Sequence, residues 1–392
     1  MKKLCYFMGA ALLTLGSCTN EINEEGFVDK ANTISFNAYS NKTRAVTGDV
    51  TSENIKGDNF GVFGYYNNSP YLYVLENTTK KAVKQKWNST SSNWEYVNPS
   101  ELKFWPDGSM DFYAYFPSSE NVTFEESNAN SNVMTISNVD CSRDVLFAKH
   151  TTSYTERVPL TFYHAFSKIK QVNVSIGENT DKGYVKDAGV SVEIQKVEFI
   201  NTSTSGTVKV DNSGVASYEV ASPNVTLSKD LSSSVVTVNS TELTGTLIDN
   251  STSGGYLFAT TSESTATNNV KGTGKTMWDG TKNLLTAGTT LENLGQVCLK
   301  LTCKVWNGAD SKKYYYVGGD EDNYGEVYIP LTGNASNSNS VSTLDAGKRY
   351  TYKIVMKDNV GYTNEGDPIL TPILFNVSSV SDWSDVNVTI TL

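Results

Sequence analysis

The strongest constraint on this chain is an alternation of apolar and polar residues with period two, repeated along most of its length. Ile34, Phe36 and Ala38 alternate with Ser35, Asn37 and Tyr39, and Val172, Val174 and Ile176 with Asn173 and Ser175. Val190, Val192 and Ile194 repeat the pattern, as do Tyr350, Tyr352, Ile354 and Met356, and finally Val386, Val388, Ile390 and Leu392. Successive side chains of a strand point to opposite faces, so each run reads as a strand with one buried face. Turn-forming clusters separate the runs: Gly57-Asp58-Asn59, Pro106-Asp107-Gly108, Asp211-Asn212-Ser213-Gly214 and Gly318-Gly319-Asp320. Helical periodicity is almost absent; one short turn is expected near Leu284 to Leu294. The chain therefore reads as all-β, built of sandwiches.

At 392 residues it is long for a single domain of ~100–200 residues. A division is expected near Pro159, where residues 150–158 read as a loop and Leu160-Thr161-Phe162 opens a strand. This gives an N-terminal β-sandwich domain over 32–158 and a C-terminal one over 159–392. The Ser/Thr/Asn-rich stretches 118–138, 201–206, 221–241 and 261–283 read as long loops or weak edge strands.

Charge and composition narrow the function. The chain carries 42 acidic and 32 basic residues, a net charge of −10, which argues against nucleic acid, since phosphate binding needs a basic face. Two histidines and five cysteines leave little for zinc sites or His-activated nucleophiles. No catalytic residue, metal site or cofactor is expected, and the chain does not read as an enzyme.

Individual motifs agree. Gly272-Thr273-Gly274-Lys275-Thr276 ends like a phosphate loop, but Asn269 stands where the first glycine belongs and no apolar strand precedes it. Asp320-Glu321-Asp322-Asn323-Tyr324-Gly325 opens like a calcium loop, but Tyr324 and Leu331 stand at ligand positions, so a polar hairpin turn is expected. His164, in the strand pattern Thr161 to Phe166, reads as a partly buried, hydrogen-bonded imidazole. The aromatic run Phe104 to Pro117 could offer a sugar platform, but its alternation favours a hairpin around Pro106-Asp107-Gly108 that buries one aromatic face. In Val297 to Val305 the alternation puts Cys303 inside and Cys298 outside, so these two thiols should not bridge.

The amino terminus begins with Met1-Lys2-Lys3 and the largely apolar run Leu4 to Leu15, too short to span a bilayer. Leu15-Gly16-Ser17-Cys18 resembles the lipobox of bacterial lipoproteins, which implies a signal peptide over 1–17, acylation of the Cys18 thiol and anchoring to the outer membrane through lipid. An ordinary signal peptide with an incidental Cys18 is the competing reading. Residues 18–31, including Glu21, Glu24 and Glu25, read as an acidic tether and resemble tags that send lipoproteins to the cell surface. After the first strand, Asn41-Lys42-Thr43-Arg44-Ala45-Val46 is either an ordinary polar loop or a site for a trypsin-like protease.

Together these pieces resemble the fimbrillin family, the Mfa-like and FimA-like subunits of type V pili. The resemblance rests on the lipobox at Cys18, Ile34 to Ala38, Thr43-Arg44-Ala45, Phe60-Gly61-Val62-Phe63, Phe104-Trp105-Pro106 and Asp111 to Pro117. It continues through Asp144 to Ala148, Leu160 to Ile169, Leu344 to Tyr352 and Trp383. The resemblance implies two transthyretin-like sandwiches in tandem and a structural role in a surface fimbria. It also implies cleavage between Arg44 and Ala45 by an arginine-specific protease and release of the strand before it. The groove would then be filled by a strand from another subunit, self or related, for which Val386, Val388, Ile390 and Leu392 are the candidate donor residues. The alternative is a non-polymerising surface lipoprotein or pilus tip that binds glycans or host proteins through its loops and tyrosines.

Overall fold

The computed structural model describes residues 33–40, 50–125, 132–176, 190–221, 226–239, 241–281, 288–307, 313–335, 340–356, 361–369, 374–375 and 384–390. The expected leader and tether, with Cys18, Arg44, Ala45 and Leu392, lie outside them. The fold is all-β. The described strands form two eight-stranded sheets, two six-stranded sheets and one two-stranded ribbon.

The first eight-stranded sheet is built mainly from the amino-terminal part. Its order runs Phe36–Ser40, Val158–His164, Leu146–Thr152, Met110–Phe116, Phe60–Tyr66, Val83–Asn88 and Asn93–Tyr96, with Ser69–Leu72 paired to Phe60–Tyr66. Both faces of the central strand Met110–Phe116 are covered. Phe112, Ala114 and Phe116 enter one apolar cluster and Tyr113 and Tyr115 another. The expected hairpin with a single buried aromatic face is therefore not what forms. Phe104 bridges to Thr33 instead, and Met110–Phe116 lies between Phe60–Tyr66 and Leu146–Thr152. A strand in the middle of a sheet that is covered on both sides needs apolar residues at consecutive positions.

A six-stranded sheet covers the outer face. It joins Asn121–Phe124 and Asn132–Val139 to Gly206–Asp211, Ala216–Val220 and the short strands Ala266–Thr267 and Val270–Lys271. Met134, Ile136, Val208 and Val210 pack with Phe63, Tyr113, Tyr115 and Phe147 from the first sheet and with Phe166 and Phe258 from the chain that follows. Residues 159–164, assigned by sequence to the start of a second domain, belong to the strand Val158–His164 that completes the first sheet, and residues 206–220 extend the six-stranded one.

The remaining two large sheets enclose the second major core. One contains Phe166–Ile176, Lys348–Met356 and Ser384–Ile390; the other contains Val190–Ile200, Cys298–Asn307 and Gly325–Pro330. Val172, Val174, Val192, Ile194, Leu301, Tyr352, Ile354 and Val388 meet between them. The alternation read from sequence is visible here directly, since the inward residues are the apolar ones.

Two local expectations change. Cys298 is as buried as Cys303, because the face opposite the main core packs on Trp278, Leu291 and Tyr328. The two thiols still sit on opposite sides of their strand, and Cys141, Cys298 and Cys303 are all free. A short helix spans Leu291–Leu294, and residues 284–287 of the expected turn lie outside the described residues; the Thr290 side chain caps the start of the helix and Gly295, with φ +67°, ends it in the left-handed conformation. The Asp320 turn is a polar one closed on itself, with Asp320 Oδ1 accepting from the Asp322 and Asn323 amides at 2.9 Å each.

Candidate functional site

The site is the edge of the first sheet, where Phe36–Ser40 lies parallel to Val158–His164 with Phe36 opposite Val158 and Ser40 opposite Phe162. Val158–His164 is its only ladder neighbour among the described residues. The alternation of this segment sends Ile34, Phe36 and Ala38 inward, where they are 0, 1 and 6% exposed, while Tyr39 is 50% exposed. Phe36 packs edge-on against Phe60 at 6.3 Å and Phe112 at 5.6 Å between ring centres. Leu160, Phe162, Val62 and Leu146 complete the same apolar cluster.

The sheet curls until its two end strands approach each other. Buried Tyr96 of Asn93–Tyr96 donates its Oη to the Ile34 carbonyl at 2.8 Å. Burial pushes the Tyr96 phenol well above its usual pKa, so the group stays protonated and remains a donor. The Ile34 amide donates to the Lys103 carbonyl at 2.9 Å and the Ser35 Oγ to the Glu156 carbonyl at 2.6 Å. Val158 returns a backbone bond to the Ser35 carbonyl at 2.8 Å. A cleft of about 410 Å³ opens along this seam, lined by Ile34, Trp94, Tyr96, Leu102, Glu156 and Arg157 among others.

Both flanks of the stretch that contains Arg44 are held in place. The Ser40 amide donates to Ser52 Oγ at 3.2 Å, and the Ser52 hydroxyl donates to the Ser40 carbonyl at 3.2 Å. The Val50 amide donates to Asp144 Oδ2 at 3.3 Å, and the same oxygen lies 2.7 Å from His164 Nδ1. His164 is thus fully buried in a pair with Asp144, tighter than the partly buried imidazole that sequence suggested. Sequence reasoning singled out neither Asp144 nor Tyr96. Asp144 belongs to a motif used for the resemblance, but nothing in its spacing shows that it holds the chain beyond residue 49.

The candidate donor residues are placed differently. Val386, Val388 and Ile390 lie in Ser384–Ile390, which pairs parallel with Lys348–Met356 and antiparallel with Gly333–Ala335 and Leu374–Phe375. Val388 is fully buried in the second major core. The structure does not bring this strand to the first one: each sits in its own sheet.

The sequence profile of the fimbrillin-like family matches residues 43–383. No curated protein matches the chain. Among solved structures, a fimbrial protein from Bacteroides vulgatus is 16% identical, with 83% of this chain and 94% of that one covered and a TM-score of 0.46. A candidate cell adhesion protein from Parabacteroides distasonis is 11% identical, with 85 and 94% covered and a TM-score of 0.43. A candidate adhesin from Bacteroides thetaiotaomicron is 10% identical, with 91 and 98% covered and a TM-score of 0.33. On the profile match, which spans most of its length, the chain belongs to the fimbrillin-like family of structural, non-enzymatic proteins.

Proposed function

We propose that this chain is a surface fimbrial subunit that assembles by strand replacement at the edge of its first sheet. The observation that carries the reading is the position of the first strand: among the described residues it ends a sheet with one ladder neighbour, and yet it and the residues just before it supply Ile34, Phe36 and Ala38 to the core. Removing such a strand leaves an apolar groove and a row of unpaired backbone groups along Val158–His164, a costly state that another extended segment relieves. Burial of an Ile or Phe side chain contributes roughly 1.5–3 kcal/mol, so the groove has a substantial drive to refill.

In this proposal Cys18 carries the lipid that brings the precursor to the outer membrane, and an arginine-specific protease cuts between Arg44 and Ala45. The cut falls between two pinned flanks, Ser40 and Val50, so it severs the connection without disturbing the rest of the sheet. The incoming strand comes from another fimbrial subunit. The residues Val386, Val388, Ile390 and Leu392 have the alternation a donor needs, and their donation requires undocking Ser384–Ile390 from Lys348–Met356. Head-to-tail pairing of this kind need not close and so builds a filament.

The test is treatment of the purified chain with an arginine-specific protease, followed by detergent electrophoresis. Ladders of detergent-resistant oligomers are expected from the wild type and none from Arg44→Ala. Equal oligomer formation by the uncleavable variant would overturn the reading.

A further inference from the structure

One buried polar side chain in the core around the first strand has no role in the site as described. Gln85 lies on Val83–Asn88 and is 0% exposed. Val83, two residues before it on the same face, belongs to the apolar cluster that holds Ile34, Phe36 and Ala38. Among the described residues neither its amide nitrogen nor its amide oxygen has a hydrogen-bond partner. Burying an amide in this way forfeits its bonds to water without replacement, so the arrangement is unfavourable.

The ladder fixes where Gln85 sits relative to the first strand. It is opposite Phe60 on one side and Tyr96 on the other, so the three side chains form one row on the inner face. Both flanking residues touch the first strand: Phe60 packs on Phe36 at 6.3 Å, and Tyr96 Oη bonds the Ile34 carbonyl at 2.8 Å. The orphaned amide therefore belongs to the part of the groove filled by Ile34 and Phe36, two side chains that offer it nothing polar. The seam between the two end strands carries the 410 Å³ cleft lined by Ile34 and Tyr96.

We propose that Gln85 selects the replacement strand: the segment that fits this groove best brings a hydroxyl or amide side chain to the inward position now held by Ile34 or Phe36. The inference rests on the strand-replacement reading above. It adds a source of preference for the incoming strand, because the resident strand leaves Gln85 unpaired and the right replacement does not. It also bears on partner identity. The apolar face of this chain's own tail, Val386, Val388, Ile390 and Leu392, carries no such group, so the favoured donor is a related subunit with Ser, Thr or Asn at one inward position.

The test uses the full chain with an inserted cleavage sequence between Ser40 and Val50, cut so that the first strand can be displaced. Labelled peptides of residues 31–43, native or with Ile34→Thr, Phe36→Thr or Ala38→Thr, and a peptide of residues 384–392 compete for the groove, with anisotropy as the readout. The comparison is made in the wild type and in the Gln85→Met and Gln85→Leu proteins. The affinity of the Ile34→Thr or the Phe36→Thr peptide relative to the native one should fall about five- to tenfold on replacing Gln85, and that of the Ala38→Thr peptide should not change. The 384–392 peptide should gain affinity in the Gln85-replaced proteins, and the intact Gln85→Met chain should melt no lower than the wild type. An unchanged peptide ranking, or a lower melting temperature in both variants, overturns the role of Gln85 and leaves strand replacement standing. Failure of every peptide to enter, the native one included, overturns both.

Discussion

At the scale of single residues, the inward positions of the first strand carry its hold on the sheet. Phe36 is 1% exposed and meets both Phe60 and Phe112, whereas Tyr39 on the same strand is half exposed. Phe36→Ala removes a buried ring and leaves a cavity, which costs about 3–5 kcal/mol. Tyr39→Ala should stay within about 0.5 kcal/mol of wild type, as surface changes usually do. Urea denaturation of the uncut chain checks both. The thiols give a second residue-scale expectation, with its pH dependence. Burial pushes Cys303 up to about 12 and holds Cys141 well above its usual value, so neither supplies thiolate at neutral pH. A raised native pKa means that the folded chain keeps the thiol proton while the unfolded chain loses it. These groups therefore favour folding at neutral pH, and that contribution falls as pH rises past the ordinary thiol value near 9.0. A disulfide reagent at pH 8 should label neither Cys141 nor Cys303 until denaturant is added, as read by peptide mapping; rapid labelling of either in the native chain would refute its buried placement. Sequence put Cys303 inside correctly and missed Cys298, because period-two reasoning assumes that the second face of a strand meets water. Here Trp278, Leu291 and Tyr328 cover it, and no local pattern announces a side chain arriving from a loop and a short helix.

At the scale of elements, the two ends of the described chain differ in how they are held. Among the described residues the first strand has a single ladder neighbour, while Ser384–Ile390 lies within its sheet between Lys348–Met356 and Gly333–Ala335. Both were legible as strands, since each alternates cleanly, yet alternation says nothing of whether a strand is at an edge or inside a sheet. That depends on pairings between residues more than a hundred positions apart, such as Phe36 with Val158. The same limit explains the Met110–Phe116 strand, read as half of a local hairpin and found in the sheet interior. If the first strand is held only at one edge, cutting the chain between Ser40 and Val50 should leave it bound at first. Displacing it with excess competing peptide lacking a label should then change little beyond its neighbour. Hydrogen exchange at Val158–His164 is expected to rise when the strand leaves and fall when a peptide enters, while exchange at Tyr350–Lys353 in the other sheet stays constant. Loss of protection throughout the first sheet on cutting alone would show that the strand is part of an indivisible core.

At the scale of the whole molecule, the division read from sequence and the sheets do not coincide. Residues 158–164 finish the first sheet, and the hairpin at 206–220 with the strands at 266–271 supplies part of the cover for its outer face. That cover is aromatic and continuous with the following chain: Tyr218 stacks on Phe258 at 4.4 Å, Phe258 on Phe166 at 5.6 Å, and the Tyr218 hydroxyl bonds the Ala165 carbonyl. A Pro after a polar loop looked like a boundary because composition changes there, but composition does not reveal a sheet completed by residues far downstream. The consequence can be measured. A fragment of residues 32–158 lacks most of Val158–His164, so Phe36–Ser40 loses its ladder partner among the described residues, and it lacks Val208, Val210, Phe166 and Phe258 over Tyr113, Tyr115 and Phe147. Exposing that much apolar surface in a small domain removes the burial on which its stability depends. The fragment should therefore give poorly dispersed amide spectra and bind a hydrophobic dye, and the full chain should do neither. A fragment of 32–158 with dispersed, dye-free, cooperative unfolding would establish an autonomous amino-terminal domain and make the downstream strands an attachment to it rather than a part of its core.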